Sequence, residues 1–274
     1  MASLYKTIYP VKYFRDYLSQ EIRPDGREFL NFRPISVNVS SITQADASAI
    51  FKIGNTTIVC GIKAELAEPK ADAPDCGFII PNVELSPLCS SKFRPGPPSD
   101  QAQVASKMID DILIDSEIIN LKDLCICKNK LVWVLYCDLE CIDCDGSIID
   151  ACVGALIAAL STLTLPEVNH NPDAKTTFVH PTKRRPIAIR TFLASCTFSI
   201  FENDLLLADP TDEEETQALA RLTIVMDSEE IFCVHKPGGV PISIDLLQKS
   251  IAIAKKRTKK VTTLIKTAIN DISS

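Results

Sequence analysis

An acidic run, Asp209–Glu215, is the segment whose residue types could most directly do chemistry. Carboxylates at the end of a strand can hold a divalent cation at the site of a phosphate reaction. The alternative is a solvated acidic loop, and runs of charged residues usually face water. The run by itself therefore leaves a cation site open without requiring one.

A second candidate for chemistry is the cysteine series Cys137, Cys141 and Cys144, with Cys125 and Cys127 nearby. Closely spaced thiolates are the ligands of structural zinc. Cys137 and Cys141, however, fall on what we predict to be a central strand, where a free cysteine behaves as a small buried hydrophobe. We therefore expect no metal site and no cofactor.

The chain has eleven cysteines, an odd number that cannot all form pairs. Its first ten residues lack the basic flank and apolar run of a secretory signal. We expect reduced thiols in a cytosolic or nuclear protein. The three histidines, His170, His180 and His235, accompany no strained nucleophile elbow, and the sequence holds no phosphate-binding loop or dinucleotide fingerprint.

The charge balance limits the partners that the chain could bind alone. It has 35 acidic and 29 basic residues, for a net charge of −6. A protein that binds nucleic acid mainly through phosphates is usually basic, so RNA or DNA would need a local patch or an assembly. The most apolar run, Ala151–Leu165, is shorter than the roughly 20 residues of a membrane span, and we expect no membrane association.

Periodicity and turn signals place these residues on helices and strands. Helices are predicted at Val11–Ile22, Ser99–Ile119, Ser147–Leu163 and Ser243–Ile272, the third of them apolar nearly all round and so buried. Strands are predicted at Ile35–Val39, Ser48–Ile53, Thr56–Glu65, Leu131–Cys137, Ile187–Phe192, Cys196–Phe201, Leu205–Ala208, Arg221–Met226 and Ile231–His235. Of these, Leu131–Cys137 is continuously apolar, which predicts a strand covered on both faces at the centre of a sheet.

The order of elements predicts an α+β protein of two related β/α halves, residues 1–170 and 186–274, joined by a polar linker at 171–185 into one compact unit. A proline-rich stretch, Ala67–Pro98, is predicted to be a long irregular loop with a functional role. Its basic residues Lys70, Lys92 and Arg94 are candidates for RNA contact, because a proline-stiffened loop meets phosphates at little ordering cost; surface solvation is the alternative.

With these pieces placed, the chain resembles the RNase PH-like family, and most closely the non-catalytic ring subunits of the eukaryotic RNA exosome. The motifs that carry the resemblance run nearly end to end: Arg23–Glu28, Gly54–Gly61, Pro81–Ser90, Leu131–Tyr136, Asp145-Gly146, Asp209-Pro-Thr211 and His235–Gly239. The resemblance implies the RNase PH fold, with mixed sheets packed against helices, and a six-membered ring that threads single-stranded RNA.

The resemblance also implies a test of activity, because active members use phosphate to attack the RNA 3′ end and need arginines to hold it. Where their pattern has two adjacent arginines this chain has Ser99 and Asp100, and where it has another arginine this chain has Ile149. Asp209 matches the first catalytic carboxylate, and Glu215 stands where a second aspartate should be. These degenerate positions predict that the chain is not an enzyme.

The function that the sequence predicts is therefore structural: a ring subunit that supports assembly and threads RNA for 3′-to-5′ processing and degradation, including rRNA processing and mRNA turnover. The expected partners are other RNase PH-like ring subunits, cap subunits, an associated nuclease and single-stranded RNA. The expected location is the nucleus, nucleolus and cytoplasm. The alternatives are a phosphorolytic 3′-to-5′ exoribonuclease and a stand-alone RNA-binding protein.

Overall fold

The computed structural model describes residues 2–171 and 176–273. The helices are α1 (Ala2–Ile8), α2 (Pro10–Ser19), α3 (Asp100–Ser116), α4 (Ile148–Ser161), α5 (Asp212–Gln217) and α6 (Ile244–Ser273). The strands are β1 (Ile35–Val39), β2 (Ala47–Ile53), β3 (Thr56–Ala67), β4 (Phe78–Leu85), β5 (Cys125–Cys127), β6 (Leu131–Asp143), β7 (Thr164–Asn171), β8 (Thr176–Pro186), β9 (Ala194–Ile200), β10 (Leu206–Ala208), β11 (Ala220–Met226) and β12 (Ile231–His235). None of the described helices is long and apolar enough to cross a bilayer.

The first sheet has the strand order β1-β2-β3-β6-β4, and β5 also pairs with β6. It is mixed, because β4 runs parallel to β6 while the other pairs are antiparallel. The β2–β3 hairpin turns through Gly54-Asn55, as predicted, with Gly54 at a φ of 55°. Because β4 lies inside Ala67–Pro98, this stretch is not the continuous irregular loop that its prolines predict.

Strand β6 lies between β3 and β4, which confirms its central place, but it is longer than predicted and only partly covered on both faces. Its residues are buried without interruption from Val132 to Leu135 and alternate between exposed and buried from Tyr136 onward. A short 3₁₀ helix, Leu121–Leu124, packs against β6, and helix α4 also contacts this strand. The prediction of two covered faces thus holds for half of the segment.

Helix α4 is the buried layer of the fold, as predicted. Twelve of its 14 residues are buried, and it packs against β2 and β3 of the first sheet and β9 of the second. Gly154 faces the ring of Phe51 so closely that a Cβ at Gly154 would lie 2.5 Å from a ring carbon. The small side chains of α4 let strands of both sheets pack closely against it.

The second sheet has the order β10-β9-β11-β12, with every pair antiparallel. Helix α6 covers it and also reaches β1. The strand predicted at Ile187–Phe192 is wrong, since this segment makes only isolated backbone bonds, from Ile187 N–H to Leu163 O and from Arg190 N–H to Ile118 O. Because it does not pair with a neighbouring strand, the segment Ile187–Phe192 forms no β-ladder in spite of its apolar residues.

The polar linker predicted at 171–185 is structured. Strands β7 and β8 form an antiparallel ribbon in which Val168 pairs with Val179 and Thr164 with Pro186. A two-stranded ribbon has little core of its own, so its sequence is polar and hides the strand signal. Residues 172–175, at the middle of the predicted linker, lie outside the described residues.

Candidate functional site

The carboxylate of Asp209 is buried just after β10 and is bound by two arginines. Arg33 donates from its backbone N–H (2.7 Å), from Nε (3.0 Å) and from Nη2 (2.7 Å) to the two carboxylate oxygens. The Nη1 atom of Arg27 lies 3.3 Å from Oδ2 of the same group. The carboxylate is thus bound by two cations of the first half of the chain.

Burial opposes the ionisation of Asp209, but the hydrogen bonds and positive charge of Arg33, with the charge of Arg27, outweigh it. The pKa of the Asp209 carboxyl is therefore lowered from its usual value. The group stays ionised at neutral pH, and its contribution to stability is lost as the pH falls through this lowered pKa.

A second buried ion pair lies beside the first. The guanidinium of Arg23 contacts both carboxylate oxygens of Glu214 and donates to the carbonyls of Ala208 (2.7 Å) and Asp209 (3.0 Å). Glu214 also closes a capping box with Thr211 at the start of α5. The acidic run is therefore neither the solvated loop nor the open cation site that its sequence indicates, because two of its carboxylates are neutralised by arginines that lie far away in the sequence.

Arg33, which binds Asp209, also reaches the loop between β6 and α4. Arg33 Nη1 donates to the carbonyl of Asp145 at 2.6 Å, and Thr56 donates through its hydroxyl to the carbonyl of Gly146 at 2.7 Å. Gly146 has a φ of 78°, and a Cβ there would lie 2.5 Å from the carbonyl oxygen of Pro210. Only glycine allows this loop to lie against the segment that carries Asp209.

Glu215 faces a different cavity from Asp209. Its carboxylate accepts from the backbone N–H of Ser147 at 2.6 Å and from Arg221 at 2.9 Å, and burial raises its pKa above the usual value. Glu215 lines a cleft, whereas Asp209 lines a small cavity with Asp150. The two carboxylates of the acidic run therefore line different cavities.

The open cleft has two adjoining parts, of about 260 and 120 Å³, that share Glu215, Arg221 and Gln101. Lys92 lines the larger part and forms an ion pair with Asp212, and Ile149 lines the smaller part. Both cations of the cleft are therefore paired with carboxylates. An apolar side chain stands at Ile149, where the active members of the resembled family have an arginine.

The other two degenerate positions lie at the start of α3. The Ser99 hydroxyl caps this helix by accepting from the N–H of Ala102 at 3.3 Å, as its sequence predicts. Asp100 is exposed in the first turn, where its charge favours the helix dipole. Both residues therefore stabilise the start of α3. The neighbouring residue, Gln101, lines the cleft.

The three basic candidates for RNA contact do not gather at one place. The ammonium of Lys70 lies 5.1 Å from the ring centre of Phe78, at the start of β4. Lys92 lies in the cleft, in the segment beyond the other end of β4, a strand roughly 23 Å long at the rise of an extended chain. Arg94 is exposed.

Asp150, at the start of α4, joins the two halves through hydrogen bonds. It accepts from the Ser195 hydroxyl at 2.6 Å, from the Thr197 N–H at 2.8 Å and from the Thr197 hydroxyl at 2.9 Å. Burial raises the pKa of the Asp150 carboxyl to about 6, although the three donors favour the charged form. The contact therefore depends on a carboxyl that titrates close to neutrality.

Within residues 2–171 and 176–273, no group of three or more histidine, cysteine or acidic side chains is placed to hold a metal ion. All eleven cysteines are free thiols, and Cys137 and Cys141 are buried in β6 as predicted. His180 contacts Asn169 at 3.2 Å. The side chain of His170 lies outside the described residues.

Comparison with known proteins decides the family. Domain 1 of the 3′ exoribonuclease family, RNase PH, matches residues 31–166, and domain 2 of that family matches residues 191–257. The chain belongs to the 3′ exoribonuclease (RNase PH) family. Its fold is the RNase PH fold, as the sequence motifs predict.

Relatives within this RNase PH family cover nearly the whole chain. The chain is similar to the exosome complex component rrp43 of Schizosaccharomyces pombe, with 45% identity over 93% of this chain and 94% of the relative. It is 35% identical to the exosome complex component Rrp42 of Methanothermobacter thermautotrophicus, over 91% of this chain and 92% of the relative. It also matches a chain of the Archaeoglobus fulgidus exosome with RNA bound to the active site, with a TM-score of 0.82, 30% identity and coverage of 92% and 96%.

Sequence reasoning missed the partners of the acidic residues. Arg33 and Arg221 carry no motif of their own, and Arg23 is visible only as part of the Arg23–Glu28 motif. Thr211-x-x-Glu214 matches a capping box and could have predicted α5. The pairing of Arg33 with Asp209 spans 176 residues of sequence, and no local pattern marks it.

We predict that Asp209→Ala lowers the free energy of unfolding by about 3–5 kcal/mol, because it leaves the buried guanidinium of Arg33 without its carboxylate. Chemical denaturation of the purified variant measures the change. The matched control is Asp212→Ala, which breaks the exposed pair with Lys92 and should cost at most about 1 kcal/mol. Equal stability of wild type and Asp209→Ala would show that Asp209 has no structural role.

Proposed function

We propose that this chain is a structural subunit of an RNA exosome ring, without phosphorolytic activity of its own. Support comes from two relatives that are named exosome complex components and from an exosome structure that matches the chain over 92% of its length. The proposed role is to complete the ring and to lead single-stranded RNA toward a nuclease elsewhere in the assembly, for rRNA processing and mRNA turnover.

The observation that carries the absence of activity is the state of Asp209. The Asp209 carboxylate accepts three hydrogen bonds from Arg33 and lies 3.3 Å from Arg27, so most of its hydrogen-bonding capacity is used by arginines of its own chain. The cleft that holds Glu215 adds only two cations, both already paired, and exposes Ile149. Loss of a phosphate-holding donor can cost several kcal/mol of transition-state stabilisation.

The proposed partners are other RNase PH-like subunits, cap subunits and an associated nuclease, with RNA as the threaded ligand. We also propose, from its motif set, that the chain is the subunit usually called exosome component eight. We also propose that it is located in the nucleus, nucleolus and cytoplasm. Imaging of a tagged chain expressed at its natural level tests this, and a wholly cytoplasmic signal would contradict it.

The second candidate function is phosphorolytic 3′-to-5′ degradation of RNA. It is favoured by one observation, the 30% identity to a chain of an exosome structure that is described as having RNA at its active site. The degenerate positions Ser99, Asp100 and Ile149 argue against this activity in the present chain. Direct assay of the pure chain separates the two functions.

Assembly into a ring is expected to use the exposed edge of the second sheet. Strand β12 is an edge strand whose Ile231 and Val234 side chains are 42% and 48% exposed, and such an edge can pair with another chain. We predict that Val234→Lys reduces incorporation of the chain into the intact complex by at least about tenfold, as measured by co-purification and native mass spectrometry. Ile114→Lys, at a more exposed helical position, is the matched control and should incorporate normally. Normal incorporation of both variants would rule out this edge.

We predict that the purified chain does not shorten a labelled RNA from its 3′ end when inorganic phosphate is added. Gel analysis of the RNA, with and without phosphate, provides the measurement. A parallel preparation of Glu215→Ala controls for a contaminating nuclease, since any contaminant would act equally in both samples. Phosphate-dependent shortening by the wild-type chain alone would make the chain an enzyme.

Lys70, Lys92 and Arg94 are proposed to contact RNA in the assembled ring. Because Lys92 is exposed and lies in the open cleft, we predict that Lys92→Glu lowers ultraviolet crosslinking of RNA to this subunit by at least about threefold. Lys107→Glu is the control, since Lys107 is also exposed and also paired with aspartates. An equal loss for both variants would indicate a general effect of charge.

A further inference from the structure

Three thiols meet where β6 ends, next to the open cleft. Cys141 belongs to β6, Cys144 follows its last residue, and Cys89 lies in the segment after β4. The backbone N–H of Cys144 donates to the carbonyl of Cys89 at 3.2 Å, which brings the two chain segments into contact. Cys141 and Cys89 are buried, whereas Cys144 is half-buried.

A β-bulge explains why Cys141 and Cys144 face the same side. In a regular strand, residues three apart point to opposite faces. Here the register of β6 with β3 shifts, so that Ile58 pairs with Cys141 and the adjacent Thr57 pairs with Asp143. The extra residue, Ile142, is exposed together with Asp143, and the thiols on either side both turn inward.

Of the three thiols, Cys144 alone both lines the cleft and has a lowered pKa. It lines the larger part of the cleft with Lys92 and Arg221, so that a small solute can enter from solvent. Interaction with the Cys141 thiol and a backbone hydrogen bond from Gly146 lower the pKa of Cys144, against the opposing effects of partial burial and of the Asp212 and Glu215 charges. Burial raises the pKa of the Cys89 thiol, and the pKa of Cys141 is raised by its interaction with Cys144 and by burial. Because the thiolate is the nucleophile, Cys144 is the thiol of this cluster that oxidants reach first.

We propose that Cys144 is an oxidation site for hydroperoxides and that Cys141 converts the oxidised Cys144 into a disulfide. The proposal is independent of any role in a ring, because it rests on the thiol cluster, the bulge and the cleft alone. It assigns a chemical function to a surface that lacks the groups needed to hold phosphate.

The chemistry balances with a hydroperoxide as the oxidant. The Cys144 thiolate attacks one peroxide oxygen, the O–O bond breaks, and the leaving hydroxide or alkoxide takes a proton, which leaves Cys144 as a sulfenic acid. The sulfur of Cys141 then attacks the sulfenic sulfur, an S–S bond forms, and the hydroxide that leaves takes the Cys141 proton as water. Two thiols lose two electrons, and the peroxide gains them.

The modified segment is joined directly to the contact between the two halves. Asp145 and Gly146, the next two residues, hold Arg33 through their carbonyl oxygens, at 2.6 and 3.4 Å. The disulfide would tie this loop to the end of β6 by a covalent bond. Because Cys144 has no strand partner in the sheet, it can move toward Cys141 without breaking the β3–β6 ladder.

The test is peroxide treatment of the full-length chain, free or in its assembly, followed by alkylation of the remaining thiols and peptide mass mapping. The expected product is a peptide that contains Cys141 and Cys144, has lost two hydrogens, resists alkylation and is restored by a thiol reductant. Cys144 should be modified at least about threefold faster than Cys76 and Cys125, half-buried thiols with raised pKa values.

Two variants identify the steps. Cys141→Ser should leave Cys144 as a sulfenic acid that a cyclic diketone reagent traps, and Cys144→Ser should abolish both products. Cys125→Ser is the matched control and should behave as the wild type. Equal oxidation rates at Cys76, Cys125 and Cys144, or a disulfide from Cys144 to Cys89 in place of Cys141, would overturn the proposal.

Discussion

The buried pair between Arg33 and Asp209 is the interaction on which the rest of the molecule depends. One guanidinium, from the segment before β1, binds a carboxylate at the end of β10 and two carbonyls of the loop between β6 and α4. Three segments that are distant in sequence therefore meet at one side chain. Two buried charges are costly to remove from water, so the pair is stable only while all of these partners stay in place.

The same pair gives the acidic run a structural role. The carboxylate at Asp209 remains, but it is bound by arginines that hold the two halves together. Glu215 likewise serves the packing, because it accepts from Ser147 N–H and from Arg221. The conformation around the cleft is thus supported by residues of the acidic run.

The fully buried thiols have surroundings that differ from those of Cys144. Cys60, Cys137 and Cys152 are fully buried near the contact of β3, β6 and α4, and burial raises the pKa of each. Such thiols fill space as small apolar groups. Cys144 differs because a bulge and a missing strand partner turn it toward another thiol at the edge of an open cleft.

The sequence by itself determined the local elements and the family. Alternation predicted β1, Gly54-Asn55 predicted the hairpin from β2 to β3, and the all-round apolar pattern of Ala151–Leu160 predicted the buried helix α4, because these signals are local. The ordered motifs predicted the RNase PH fold. Only the tertiary structure decided what the acidic run does, that Asp209 and Glu215 face different cavities, and that residues 164–171 and 176–186 pair as a ribbon. These features depend on contacts between residues far apart in the sequence or on a ribbon without a core, and neither leaves a periodic pattern along the chain.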